Sequence, residues 1–154
     1  MIRVTDAYHL EIVRVRLREP QSAVNSSAET ASRYAYLEQY DRERLIRLDL
    51  DNRNRVIGEE VVSIGTVNSA LIHPREVFKG AILSGAVRII VLHNHPGGYP
   101  LPSAEDEEIN GKVKQAGEIL GIPVIEFVII GEDSRYWSSG SGEGQLRPAG
   151  TAQD

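Results

Sequence analysis

Val91-Leu92-His93-Asn94-His95-Pro96-Gly97-Gly98-Tyr99-Pro100-Leu101-Pro102-Ser103-Ala104-Glu105-Asp106 holds two of the four histidines of the chain, one residue apart. The run before it, Ala86-Val87-Arg88-Ile89-Ile90-Val91-Leu92, is almost wholly apolar and of strand length, the pattern of a strand buried on both faces. Side chains two apart on a strand leave the same face, so His93 and His95 converge on one point if the extended path continues past Leu92. Pro96, Pro100 and Pro102 with Gly97 and Gly98 then dictate a bent loop. Helical spacing resumes after Ser103: Ile109, Val113, Ala116 and Leu120 share one face, and Gly121 ends the pattern. A strand tip, a rigid loop and a helix start together offer two imidazoles and the Asp106 carboxylate.

Three protein ligands and a water make the open site of a catalytic zinc, whereas structural zinc usually takes four ligands, mostly cysteine. The chain has no cysteine. Chemistry at such an ion also needs a nearby carboxylate to take a proton from water. A second reading of Ser103-x-x-Asp106 is a helix capping box, with Ser103 satisfying first-turn amides and Asp106 at the positive end of the helix dipole. The two readings do not exclude one another.

His93-x-His95, seven residues, Ser103, two residues, Asp106 resembles the motif of the JAMM (MPN-plus) metallohydrolases. The wording around it is similar to the RadC family in particular: Gly65-Thr66-Val67-Asn68, His73-Pro74-Arg75-Glu76-Val77-Phe78, His93-Asn94-His95-Pro96-Gly97-Gly98 and Pro102-Ser103-x-x-Asp106. The resemblance covers roughly residues 40 to 138. It implies a cytidine-deaminase-like JAMM fold of α/β class, a mixed sheet with helices packed against it. It implies Zn2+ on His93, His95 and Asp106, with Ser103 as a catalytic hydroxyl for the oxyanion. It also implies a glutamate base, which Asp41-Arg42-Glu43 ahead of Leu50-Asp51-x-x-Asn54-Arg55 places at Glu43. By residue type alone Glu43 reads as a surface charge, and Glu59, Glu60 and Glu76 compete for the role. RadC relatives usually carry Asp-His where this chain has Glu126-Phe127, and Pro-Ser-Gly where it has Pro96-Gly97-Gly98.

The activity implied is hydrolysis of a peptide, isopeptide or other amide bond, with a peptide or protein substrate. The family name also brings an alternative of a different class, a non-catalytic DNA-repair accessory binding DNA or repair proteins. A net charge of -5 disfavours nucleic acid as a partner. A nuclease with two metals would need a further carboxylate cluster, which the sequence does not offer.

At 154 residues, 41% hydrophobic and 25% charged, the chain is expected to be one soluble globular domain. No run is long enough for a membrane span, and Met1-Ile2-Arg3-Val4-Thr5-Asp6 lacks the parts of a secretory signal, so a cytoplasmic protein is expected. Residues 1–138 are read as the domain, 1–40 forming an N-terminal strand and helix and 41–138 the core, with 139–154 a flexible Gly/Ser-rich tail.

Within that frame, Tyr8 to Arg18 alternates like a half-buried strand, with His9 an exposed histidine near its start, and Ala28 to Gln39 reads as a helix. Leu45-Ile46-Arg47-Leu48-Asp49-Leu50 and Val56 to Ile64 read as a hairpin about Asp51-Asn52-Arg53-Asn54. Pro74 opens a helix with Val77, Phe78, Ala81 and Ile82 on its apolar stripe and Gly85 at its end, and His73 reads first as its cap and second as a site residue. Gly121 to Gly131 is a further buried strand, Glu132-Asp133-Ser134 a turn, and Arg135 to Ser138 a last short strand.

Overall fold

The computed structural model describes residues 21–65 and 72–145. In chain order these form helix α1 (Ser27–Arg33), a 3-10 helix (Ala35–Gln39), strands β1 (Arg44–Leu50) and β2 (Val56–Ile64), helix α2 (Pro74–Ser84), strand β3 (Arg88–Asn94), helix α3 (Ala104–Leu120) and strands β4 (Val124–Ile130), β5 (Arg135–Ser138) and β6 (Gly142–Gln145). The apolar run ahead of the histidines is β3, a central strand of a six-stranded mixed sheet ordered β2-β1-β3-β4-β5-β6. Among the described residues only the β3–β4 pair is parallel. A parallel pair requires a crossover, and α3 supplies it.

Both faces of the sheet are covered at its centre, where β1 and β3 are buried, which is why β3 reads as a continuous apolar run. On one face α2 and α3 lie over Leu45, Ile89, Val91, Phe127 and Ile129. On the other, α1 and the 3-10 helix cover Ile46, Leu48, Leu50, Ile90, Leu92 and Val128. Each large apolar side chain fully buried in these layers contributes about 1.5–3 kcal/mol. The outcome is the α/β JAMM-type architecture expected above.

The sequence reading of β1 missed its second face. Arg47 and Asp49 are buried beside Leu45, the guanidinium bonded to Asp49 Oδ1 at 2.6 Å, to the Val77 carbonyl at 2.8 Å and to Glu60 Oε2 at 2.8 Å. A buried charge survives only where such partners replace water. Gly80 of α2 lies against this cluster, and a Cβ there would run into the Arg47 guanidinium and the Glu60 carboxylate. Gly80→Ala is therefore expected to cost about 1–3 kcal/mol as overpacking. A lowered urea midpoint with an unchanged slope would show it, and an unchanged midpoint would refute it.

Several boundaries differ from expectation. The helix read over 28–39 breaks at Tyr34, whose backbone leaves helical geometry at φ -106° and ψ 15°. Tyr34 is buried and its hydroxyl donates to Glu59 Oε2 at 2.9 Å, so tertiary contact overrides helical propensity there. Ile82 and Leu120, placed on apolar faces above, are exposed, and Gly117 takes a buried place on α3 instead. Residues 142–145 belong to β6 and pair with β5, so the tail does not begin at Ser139. Glycine and serine were poor guides because the partner strand, not side-chain burial, holds that segment. The expected strand from Tyr8 to Arg18, with His9, lies outside the described residues, as do positions 66–71 and 146–154.

Candidate metal centre

The antiparallel pairing of β1 with β3 sets Leu45 opposite His93, so the residue just before β1, Glu43, is brought to the tip of β3. His93 is the penultimate residue of β3 and is buried on the α2/α3 side. Its Nδ1 lies 3.1 Å from the Arg44 carbonyl oxygen. His95 has left the strand but stays tied to the sheet, its amide donating to the Ile130 carbonyl at 2.9 Å. Its Nδ1 lies 3.0 Å from the Tyr99 carbonyl oxygen in the proline-rich loop. The two rings meet edge to face, with centroids 4.7 Å apart.

Those two contacts decide the chemistry of the rings. A carbonyl oxygen can only accept, so each Nδ1 carries the hydrogen and each Nε2 presents a lone pair. Histidines that bind metals are commonly held in this tautomer by a carbonyl or a carboxylate. The Nε2 atoms face Asp106: His95 Nε2 is 3.0 Å from Oδ2 and His93 Nε2 is 3.5 Å from Oδ1.

Asp106 is positioned by the helix it starts. Ser103 caps α3, its Oγ accepting from the Asp106 amide at 3.1 Å while Asp106 Oδ2 accepts from the Ser103 amide at 2.9 Å. The capping box and the approach to the histidines coexist in one carboxylate. Ser103 is exposed, and its hydroxyl hydrogen is left over for another acceptor.

The electrostatics follow from burial against pairing. Burial pushes the His93 imidazole below its usual value, more strongly than the Asp106 charge raises it. Burial lowers His95 too, but there the bonds to the Asp106 carboxylate and the Tyr99 carbonyl prevail and the group is raised. Burial raises Asp106, yet the bonds from His95 and the Ser103 amide outweigh it and hold the carboxyl at about 2. With Nδ1 of His95 already donating, its short contact to Asp106 calls for a second proton or a cation. A divalent ion suits this donor set of imidazole nitrogens and carboxylate oxygens.

Among the described residues, Glu43, His93 and His95 form a group whose ligand atoms all lie within 4.8 Å of one another. Sequence reasoning placed Asp106 beside the histidines and the RadC resemblance supplied Glu43; the structure sets Asp106 against both imidazoles, and the Glu43 carboxylate within 4.8 Å of the histidine nitrogens. The competing glutamates are engaged elsewhere: Glu59 with the Tyr34 hydroxyl, Glu60 with Arg47, and Glu76 beside Arg75 at 3.6 Å. His73 is a cap, its Nδ1 accepting from the Arg75 amide at 3.2 Å. Phe127 is core, and Glu126 accepts from the Gly140 amide at 2.9 Å. A cleft of about 470 Å³ lined by Asp41, Arg42, Glu43, Gly65 and Pro96 opens beside the group.

A strand-tip histidine pair, a helix-start aspartate and a glutamate just ahead of the neighbouring strand are the arrangement of a JAB-type domain. The model of the RadC-like JAB domain matches residues 24–144, and this chain belongs to that family. Similar proteins include one from Methanosarcina acetivorans, 42% identical over 123 residues, 79% of this chain and 53% of that protein. Another, from Methanococcoides burtonii, is 43% identical over 121 residues, 78% and 52% of the two chains. A third, from Desulforudis audaxviator, is 48% identical over 94 residues, 61% and 41%. All three are called UPF0758 protein, a name that states no activity. The chain spans about half the length of the first two and less of the third. No helix among the described residues is long and apolar enough to cross a membrane.

Proposed function

We propose that this chain is a zinc-dependent hydrolase that cleaves a peptide, isopeptide or other amide bond. The observation that carries the reading is the pair of imidazoles whose Nδ1 atoms are tied to carbonyls and whose Nε2 atoms face Asp106, with the Glu43 carboxylate within 4.8 Å of the histidine nitrogens. His93, His95 and Asp106 would hold the ion, which when bound supplies a Lewis acid that acidifies water and polarises a carbonyl. Glu43 accepts the proton of the attacking water at its carboxylate and returns it to the leaving nitrogen. Ser103 donates its free hydroxyl hydrogen to the oxygen that gains charge as the carbonyl becomes tetrahedral. Asp41, Arg42 and Pro96 line the cleft in which the substrate chain lies. Its volume falls within the roughly 300–1,000 Å³ usual for ligand sites.

The test is a set of internally quenched peptides and isopeptide-linked pairs incubated with the zinc-loaded chain. Cleavage is expected to stop with a zinc chelator and return when zinc is restored. A chain that retains no zinc after dialysis, or cleavage indifferent to the chelator, would overturn the reading.

A further inference from the structure

The residue between the two histidines points the other way. Asn94 is buried, and strand alternation sets its side chain on the α1 face with Ile90 and Leu92 rather than with His93. Its Oδ1 accepts from the Arg44 amide at 2.7 Å. Its Nδ2 donates to the Arg42 carbonyl at 3.1 Å and to the Leu37 carbonyl at 3.3 Å. The Arg42 oxygen belongs to the peptide plane before the Glu43 Cα, and the Arg44 nitrogen to the plane after it. One amide therefore grips both planes that set φ and ψ of Glu43. The Glu43 carbonyl is held from a third side by the Gly65 amide at 2.9 Å.

We propose that Asn94 is a positioning residue that aims the Glu43 carboxylate at the histidine pair. The inference rests on the function proposed above. A conventional structural role, satisfying stray polar groups at a strand end, predicts only lost stability when Asn94 is removed. Aiming predicts that Asn94 and Glu43 act as one unit at the centre. His93 joins the device from the opposite face, since its Nδ1 donates to the carbonyl of the same Arg44 whose amide Asn94 holds. The dipeptide His93-Asn94 thus sets a metal-facing nitrogen and the base beside it from one strand tip.

The experiment uses Co2+ as the probe and needs no substrate. The intact chain, Asn94→Ala, Glu43→Gln and the double variant are titrated with Co2+ and their visible absorption compared. One equivalent is expected to bind in each, because His93, His95 and Asp106 are untouched. Glu43→Gln is expected to move the visible bands, Asn94→Ala to move them in the same direction, and the double variant to add nothing to Glu43→Gln. Non-additivity of this kind marks residues that act together. Where a cleavable peptide is found, Asn94→Ala should lower kcat by about 100-fold, the effect of a misplacement near 1 Å, and leave KM near its starting value.

Additive band shifts, an unmoved spectrum in either single variant, or loss of the bound equivalent in Asn94→Ala alone would each overturn the inference. Failure of the intact chain to bind Co2+ would instead overturn the metal reading beneath it. If Asn94→Ala does not fold, Asn94→Ser, which keeps one hydroxyl in the same space, is judged by the same criteria.

Discussion

Asp106→Asn is expected to strip the zinc while leaving helix α3 intact. The carboxamide oxygen can still accept from the Ser103 amide, so the capping box that fixes the start of α3 survives the change. What it loses is the negative charge facing the two imidazoles, carried by a carboxyl that the bonds from His95 and the Ser103 amide hold at about 2. Loss of a direct ligand should weaken zinc binding by more than the roughly 10- to 100-fold that loss of an outer partner costs. Asp106→Ala should show the same loss of zinc and, in addition, about 1 kcal/mol lower stability of the metal-free protein from the lost bond to the Ser103 amide, the N3 half of the capping box. The check is elemental analysis after dialysis against a competing chelator, with thermal melts of the metal-free proteins alongside. The comparison also decides between two sets of donors. The compact group among the described residues is Glu43, His93 and His95. If both Asp106 variants retain zinc as the parent does, the ion is held by that trio and Asp106 is a cap that happens to face it.

Much of this centre was legible because it is built from local sequence. A strand tip, a proline-rich loop and a helix start lie within the stretch from Val91 to Asp106, so periodicity alone sets their order, and the capping box reads directly from Ser103-x-x-Asp106. The hairpin of β1 and β2 was legible for the same reason, since Asp51 to Asn54 carries the turn chemistry within the sequence that needs it. What was not legible depends on pairing across the sheet. Glu43 comes close to His93 only because β1 lies antiparallel beside β3, a contact spanning about half a hundred residues that residue types do not announce. Resemblance to RadC supplied that residue, and composition would not have. The carbonyls of Arg44 and Tyr99 that orient the rings are backbone atoms and carry no signature. Asn94 had one signal, its place on the alternate face of a buried strand, where a polar side chain must find partners. Strand β6 was missed because glycine and serine mark turns and ladders alike, and only the neighbouring strand tells them apart.

Glu43→Gln is expected to keep zinc and lose turnover. Gln has the size and shape of Glu and can still accept a hydrogen bond, but its amide cannot take up a proton at neutral pH, so the substitution removes the base with little change in packing. General-base catalysis contributes about 10²- to 10⁴-fold, and kcat on any peptide the parent cleaves should fall by that factor with KM largely retained. Zinc content should stay near that of the parent, in contrast to the Asp106 variants, since His93, His95 and Asp106 remain. The other glutamates that compete for the role make contacts away from the histidine pair. Glu59 accepts from Tyr34, Glu60 is paired with the buried Arg47, and Glu76 lies beside Arg75. Activity within about threefold of the parent would remove Glu43 from the role, because such a ratio is worth less than 1 kcal/mol of barrier and no proton acceptor contributes so little. Loss of both zinc and activity would instead make Glu43 a ligand, and the compact trio with the two histidines would be the binding set.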